Sequence, residues 1–260
     1  MIPKVIHWCW LSDDKLPPLI QKCLATWKEK LPSYTIKCWT TKEFNINSVP
    51  YVKAAFEARR WAFCADYIRA YALYQEGGIY LDSDIEVIKS IDDLLANRCV
   101  MCIEDNRSLL VKPDLEQIRE KYCNAGFEMG EKVVPGIGIQ AAVLFSEKGH
   151  PFFKSCIEFY SHIKFEPAAT NANQVLIAPS IYAHIAENFG FEYKNKSQLL
   201  DEGIRILPSF EFCNPIQANK DTRALHLENH SWIVISPLRR LYNYLSTISF
   251  LRRMKRTFLR

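Results

Sequence analysis

Two adjacent glycines, Gly77 and Gly78, divide a helical pattern from a strand pattern, and that junction constrains the fold more than any other feature of the chain. Within residues 62–86, AFCADYIRAYALYQEGGIYLDSDIE, the side chains Phe63, Tyr67, Ala70, Tyr71 and Tyr74 recur at three- and four-residue steps, the spacing of one helical face. Asp66 and Arg69 fall together on a neighbouring face. The glycine pair stops the helix, Ile79-Tyr80-Leu81-Asp82 reads as a short buried strand, and Asp82-Ser83-Asp84 lies where that strand runs out. Two carboxylates at a strand end make a site for a hard cation.

Asp-x-Asp supports several readings. A calcium loop needs glycine at its sixth position, and counting from Asp82 that position is Val87, which excludes it. A phosphatase of the aspartyl-nucleophile type also places Asp-x-Asp after an apolar strand, one carboxylate attacking phosphorus and the other serving as acid and base. A metal clamp uses both carboxylates to hold Mn2+ or Mg2+, which in turn holds a diphosphate. The plain alternative is a solvated turn, and a bare Asp-x-Asp does not separate these.

The surroundings do. Ala65, Asp66, Arg69, Leu73, Tyr74, Gly77, Gly78, Ile79, Tyr80, Asp82 and Asp84 reproduce the pattern Ser/Ala-Asp-x-x-Arg followed by Leu-Tyr-x-x-Gly-Gly-Ile-Tyr-x-Asp-x-Asp. The run resembles the Asp-x-Asp glycosyltransferases of family 32, which include yeast-type mannosyltransferases and bacterial capsule and lipopolysaccharide enzymes, and more distantly the clostridial glucosylating toxins. The opening run Ile2-Pro3-Lys4-Val5-Ile6-His7-Trp8-Cys9-Trp10 resembles the family's first strand, and Ala224-Leu225-His226 with Ser231-Trp232 resembles its closing motifs.

The resemblance implies a GT-A-type fold, a single α/β/α domain with a mostly parallel sheet, and retaining, metal-dependent transfer from a nucleotide diphosphate donor, expected to be a UDP-sugar. The implied acceptor is a glycan or lipid-linked glycan of bacterial surface polysaccharide. It also implies roles. Asp84 is the direct ligand of Mn2+ or Mg2+, Asp82 meets the ribose, the sugar or the metal through water, and His226 completes the metal shell, although a lone strand histidine is as often structural. Ser231 and Trp232 close over the phosphates. Asp66 and Arg69 hold donor sugar hydroxyls, or else form a helix-surface ion pair. Trp10 stacks on the base; Trp8 reads equally as core; Cys9 lies between them; Trp61 and Tyr80 belong with the donor pocket. The family carries an asparagine near the sugar where this chain offers Gln140.

With 260 residues and 48% hydrophobic side chains the chain has material for one domain with a real core, expected over residues 1–236. No run reaches the roughly 20 apolar residues of a membrane span, and the first residues lack the pattern of a signal peptide, so a cytoplasmic protein is expected. Nine scattered cysteines, mostly inside apolar runs, read as buried thiols without structural disulfides. The net charge of +4 is carried by the last segment: residues 237–260 hold seven basic and no acidic residues, leaving 26 basic against 29 acidic in the body. That distribution argues against a nucleic-acid partner. In the tail, Leu238, Leu241, Leu245, Ile248 and Leu251 recur at helical steps between basic ends, which suits an amphipathic helix on an anionic membrane as well as one packed on the body.

Around the central run the patterns predict a strand over 4–10, a helix over 16–31, a strand over 34–40, a helix over 51–60, strands over 99–104 and 139–145, helices over 151–163 and 173–189 with Pro179 as kink or fresh start, and strands over 204–208 and 223–228. A non-catalytic sugar-nucleotide-binding protein would share much of this, and the phosphatase remains the runner-up chemistry.

Overall fold

The computed structural model describes residues 1–106, 133–165 and 177–227. The motif Ser231-Trp232 and the tail 237–260 lie outside the described residues. In chain order the regular elements are β1 (Val5–Cys9), α1 (Pro18–Lys30), β2 (Thr35–Trp39), α2 (Pro50–Glu57), α3 (Trp61–Glu76), β3 (Gly78–Leu81), β4 (Ile85–Val87), β5 (Cys99–Asp105), β6 (Ile137–Ile139), β7 (Val143–Ser146), α4 (Pro151–His162), α5 (Ala178–Glu187), β8 (Gln198–Leu199), β9 (Ile204–Leu207), β10 (Phe212–Cys213) and β11 (Ala224–His226).

Eight strands form the central sheet in the order β2-β1-β3-β7-β5-β9-β8, with β6 added on β5. The pairs β2/β1, β1/β3 and β5/β9 are parallel, and β7 runs antiparallel to both β3 and β5, so β2, β1, β3, β5 and β9 share one direction. The expected mostly parallel sheet is therefore present. Parallel strands buried on both faces read as unbroken apolar runs, as GIYL of β3 and CVMCI of β5 do. One face carries α1, whose Ile20, Cys23 and Trp27 turn inward at helical spacing, and the other carries α2 to α5. A small second sheet, β10-β11-β4, hangs below the end of β3. It is tied to α1 by the Trp27 indole, which donates to the Ile85 carbonyl at 2.7 Å, and by Thr26, whose hydroxyl accepts from Val87 N–H at 3.0 Å.

The central helix α3 is buried along most of its length, from Phe63 to Ala70 and again at Ala72 and Leu73, so it is a core helix rather than an amphipathic surface one. Gly77 (φ 69°) ends it in the left-handed region, and Gly78 (φ 109°) starts β3. A Cβ on Gly78 would fall 2.5 Å from the Val5 carbonyl oxygen, and one on Gly77 would fall 2.6 Å from the Lys148 amide nitrogen. The pair is thus needed both for its backbone conformation and for the close pass of β3 against β1.

One expectation changes. The apolar run 139–145 is not one strand: β6 ends at Ile139, β7 begins at Val143, and the three residues between them leave the ladder. Its length and composition hid a break that matters for the site. In the segment expected as helix over 173–189, α5 starts at Ala178 with Pro179 in its first turn, where its missing N–H costs nothing, so Pro179 marks a fresh start and no kink; residues 173–176 lie outside the described residues. Gly138 lets that turn stand close, since a Cβ there would lie 2.9 Å from the Pro179 carbonyl oxygen. No helix among the described residues is long and apolar enough to cross a membrane. The eight cysteines among them are free thiols.

His7 sits at the centre of the β1/α3 packing. The Trp39 indole donates to its Nδ1 at 3.1 Å, so Nε2 carries the proton and donates to the Gly77 carbonyl at 2.8 Å. Burial lowers the His7 pKa from its ordinary 6.5, with the Gly77 bond working the other way. Above pH 6.5 folded and unfolded chains are both neutral here and nothing is lost; below it the unfolded chain takes up a proton that the folded one resists, so stability falls as pH falls. Thermal midpoints measured from about pH 7 down to about pH 5 should decline in the wild type, and His7→Gln should flatten part of that slope.

Candidate active site

The sheet's shared strand direction brings the carboxyl ends of β1, β3 and β5 to one rim, where a cavity of about 590 Å³ opens. β3 delivers Asp82, whose N–H donates to the Ala142 carbonyl at 2.9 Å; a turn then closes with Ile85 N–H on the Asp82 carbonyl at 3.0 Å, presenting Asp84. β4 pairs with β11 so that His226 stands opposite Ile85, and Leu227 N–H donates to the Asp84 carbonyl at 3.1 Å. The small sheet thereby carries a residue 142 positions downstream back to the Asp-x-Asp turn, with His226 Nε2 at 3.5 Å from Asp84 Oδ1.

Asp82, Asp84 and His226 each offer one ligand atom, all within 4.8 Å of one another. Ligands of one cation lie at most about twice the metal–oxygen distance apart, about 4–5 Å, so this span fits a single ion. Two carboxylates and an imidazole are also a donor set that suits Mn2+ or Mg2+. Asp84 is buried while Asp82 and His226 are half-buried, which leaves open positions toward the cavity.

Arg69 organises the other side. Its Nε donates to the Ala65 carbonyl (3.2 Å), Nη1 to the Ala141 carbonyl (2.6 Å), and Nη2 meets Asp66 (3.0 Å) and Asp82 (3.4 Å). Its guanidinium lies over the Tyr80 ring, 4.8 Å from the centroid. Burial opposes the charge, but Asp82, the Tyr80 hydroxyl and Asp66 hold Arg69 well above its ordinary value. Asp66 is pushed up to about 7, by burial first, with Arg69 pulling down and Asp82 pushing further up. The pair is no helix-surface ion pair, because both residues are buried. Each nitrogen of Arg69 is already engaged with protein, so its influence on a ligand runs through Asp66 and Asp82.

Most expected pocket residues meet at this cavity: Cys9, Trp10, Trp61, Tyr80 and Gln140 line it together with Asp66, Arg69, Asp82, Asp84 and His226. Trp8 does not. It points to the other face of the sheet, where it packs edge-on against Trp27 at 6.2 Å in the core under α1, so its aromatic surface is spent inside the protein. The Trp10 indole is held by its N–H on the Asp14 carbonyl at 3.0 Å. Cys9 offers no nucleophile, because burial pushes its thiol far up. Gln140 is buried, and its side-chain oxygen has no hydrogen-bond partner.

Sequence reasoning missed the main-chain contribution of the β6–β7 break: the carbonyls of Ala141 and Ala142 hold Arg69 and Asp82. It also missed Asp105, the last residue of β5, Ser209, just past β9, and Gln217, past β10, all of which line the cavity. Position at a strand's carboxyl end was the available signal for Asp105.

An α/β domain with Asp-x-Asp at a strand end over such a cavity is built to hold an anionic ligand through a cation. Residues 17–101, about a third of the chain, match the model of the glycosyltransferase sugar-binding region containing the DXD motif. It is 30% identical over 101 residues to inositol phosphoceramide mannosyltransferase 3 of Schizosaccharomyces pombe, covering 36% of this chain and 27% of that protein. It is 28% identical over 170 residues to the initiation-specific alpha-1,6-mannosyltransferase of Candida albicans, covering 60% of this chain and 41% of that one. The chain thus spans well under half the length of these relatives. Among solved structures it is similar to a glycosyltransferase involved in glycosylation of the major capsid of PBCV-1, with TM-score 0.45, 13% identity, and coverage of 92% of this chain and 97% of that one.

Removing the Arg69 side chain leaves the buried Ala141 carbonyl and the buried Asp66 without their donor. Arg69→Ala should cost about 3–5 kcal/mol of stability in denaturant unfolding. Asp82→Ala, at a half-buried position with Asp66 still serving Arg69, should cost about 1 kcal/mol.

Proposed function

We propose that the chain is a GT-A-type retaining glycosyltransferase that moves a sugar from a nucleotide diphosphate donor, a UDP-sugar, to a hydroxyl of a glycan or lipid-linked glycan of the bacterial surface. The observation that carries this reading is the convergence of Asp82, Asp84 and His226 within the span of one cation at the rim of the cavity. A bound Mn2+ or Mg2+ would supply Lewis-acid neutralisation of the charge that grows on the departing nucleotide diphosphate. Asp84 and His226 would hold that ion, and Asp82 would hold it directly or through a water while keeping Arg69 in register.

Trp10, with its indole orientation fixed by Asp14, suits a stacking platform for the base. Asp66 faces the sugar as a hydrogen-bond partner, and the buried, unpartnered oxygen of Gln140 is an acceptor for a sugar hydroxyl, since a buried orphan acceptor costs stability unless a ligand meets it. Ser231 and Trp232 keep their proposed place over the phosphates, and the tail 237–260 its proposed place on an anionic membrane. The phosphatase reading is disfavoured because the nearby Asp92 and Asp93 are occupied elsewhere, Asp92 by Lys4 and Tyr34 and Asp93 by Arg223.

Transfer should stop in EDTA and return with Mn2+, and Asp84→Ala should reduce it by at least about a hundredfold, the scale of losing a main electrostatic contact to the transition state, with the fold retained by circular dichroism. Full activity in chelator would sink the reading. Trp10→Ala should weaken UDP binding by about 1–3 kcal/mol in calorimetry. Binding of UDP without turnover of any nucleotide sugar would favour a non-catalytic binder.

A further inference from the structure

Among the described residues, two lysine or arginine side chains line the cavity, Lys15 and Arg69. Each nitrogen of Arg69 is engaged with protein, so its charge serves Asp66 and Asp82. Lys15 is different. Its side chain is exposed, and its ammonium makes no hydrogen bond or ion pair among the described residues, not even with the adjacent Asp13 and Asp14. The backbone on either side of it is nevertheless held. The Asp14 carbonyl accepts from the Trp10 indole at 3.0 Å, the Leu16 carbonyl accepts from Gln21 Nε2 at 2.7 Å, and Pro17-Pro18 stiffens the entry to α1. α1 directs this loop toward the Asp-x-Asp turn. Its Trp27 and Thr26 hold Ile85 and Val87 of β4, Lys22 Nζ meets Glu86 at 3.1 Å, and the chain before them brings Ile20, Pro17 and Lys15 to the cavity wall.

The chemistry of transfer says what such an ammonium meets. The bond from the anomeric carbon to the diphosphate oxygen breaks with its electron pair left on that oxygen. The acceptor hydroxyl oxygen forms the new bond to carbon and its proton passes to solvent, so the diphosphate gains one negative charge. A divalent ion held by Asp82 and Asp84 brings a charge that those carboxylates already match, and Arg69 is shared between Asp66 and Asp82. Lys15 is the cavity's remaining lysine or arginine among the described residues, a compact charge on a flexible stem of the kind that binds phosphate without a fixed geometry. Resting on the transferase reading, we propose that Lys15 is a catalytic residue, its ammonium meeting the diphosphate of the bound nucleotide and stabilising the charge left there when the sugar departs. With Trp10 five residues earlier on the same held loop, a base stacked on that indole would send its diphosphate past Lys15 toward Asp84.

The test uses the full chain with Mn2+. In calorimetry the wild type should bind UDP more tightly than uridine. Lys15→Met should weaken UDP binding by about tenfold, the effect of about 1.4 kcal/mol, while uridine binding stays within about twofold. Lys15→Arg should keep most of the UDP affinity, since the charge remains. The side chain is exposed, so both variants should fold as the wild type does, checked by circular dichroism. With a nucleotide sugar that the wild type turns over, Lys15→Met should lower kcat as well as raise the donor KM, because the contact strengthens as the bond breaks. UDP binding by Lys15→Met equal to the wild type's, an equal loss of uridine and UDP, or a raised donor KM with kcat unchanged would each overturn the catalytic role. A wild type that binds no UDP and turns over no nucleotide sugar would instead remove the transferase reading, and this inference with it.

Discussion

The buried guanidinium of Arg69 is the interaction on which the rest of the site depends. Burying an isolated cation is prohibitive, and here the cost is offset by carbonyls from two separate segments, two carboxylates and an aromatic face. Because those partners come from α3, β3 and the β6–β7 break, the ion fixes three elements against one another at the rim. Asp82 takes its position from this arrangement and from the Ala142 carbonyl, so the motif is rigid before any ligand arrives.

The second dependency is topological. β3 has to end where β1 and β5 end, and it has to begin directly after a core helix. Gly77 and Gly78 make this possible by giving α3 and β3 a junction with no side chain to clash with Val5 or Lys148. His7 then seals the junction from the other side through the Gly77 carbonyl. The small sheet completes the site by a separate route, bringing His226 to Asp84 through a ladder that α1 supports from behind.

Much of this was legible in the sequence, because period and punctuation fix local structure. The helix to the glycine pair, the buried strand and the carboxylates at its end all stand where residues 62–86 put them, and the β-α-β opening gave the sheet its direction. His226 was legible only through family resemblance, since nothing local says that a strand histidine will meet a turn 142 residues earlier. Trp8, in β1, and Trp10, just past its end, are two residues apart, and spacing alone could not say which lay under α1 and which at the rim. The β6–β7 break was hidden because Gln140, Ala141 and Ala142 sit inside an apolar run whose composition suits a continuous strand. What marks the break is the use of its carbonyls, which composition does not record.

Those carbonyls have a consequence for how such a site can drift. A hydrogen bond accepted by a side chain vanishes with one substitution, whereas the oxygens that Ala141 and Ala142 offer belong to every amino acid alike. Nearly any residue can stand at these positions without removing the acceptor, provided it is small enough to leave the chain path unchanged. This part of the rim is therefore held by the path of the chain and not by its letters, and the same arginine could be kept there by quite different residues.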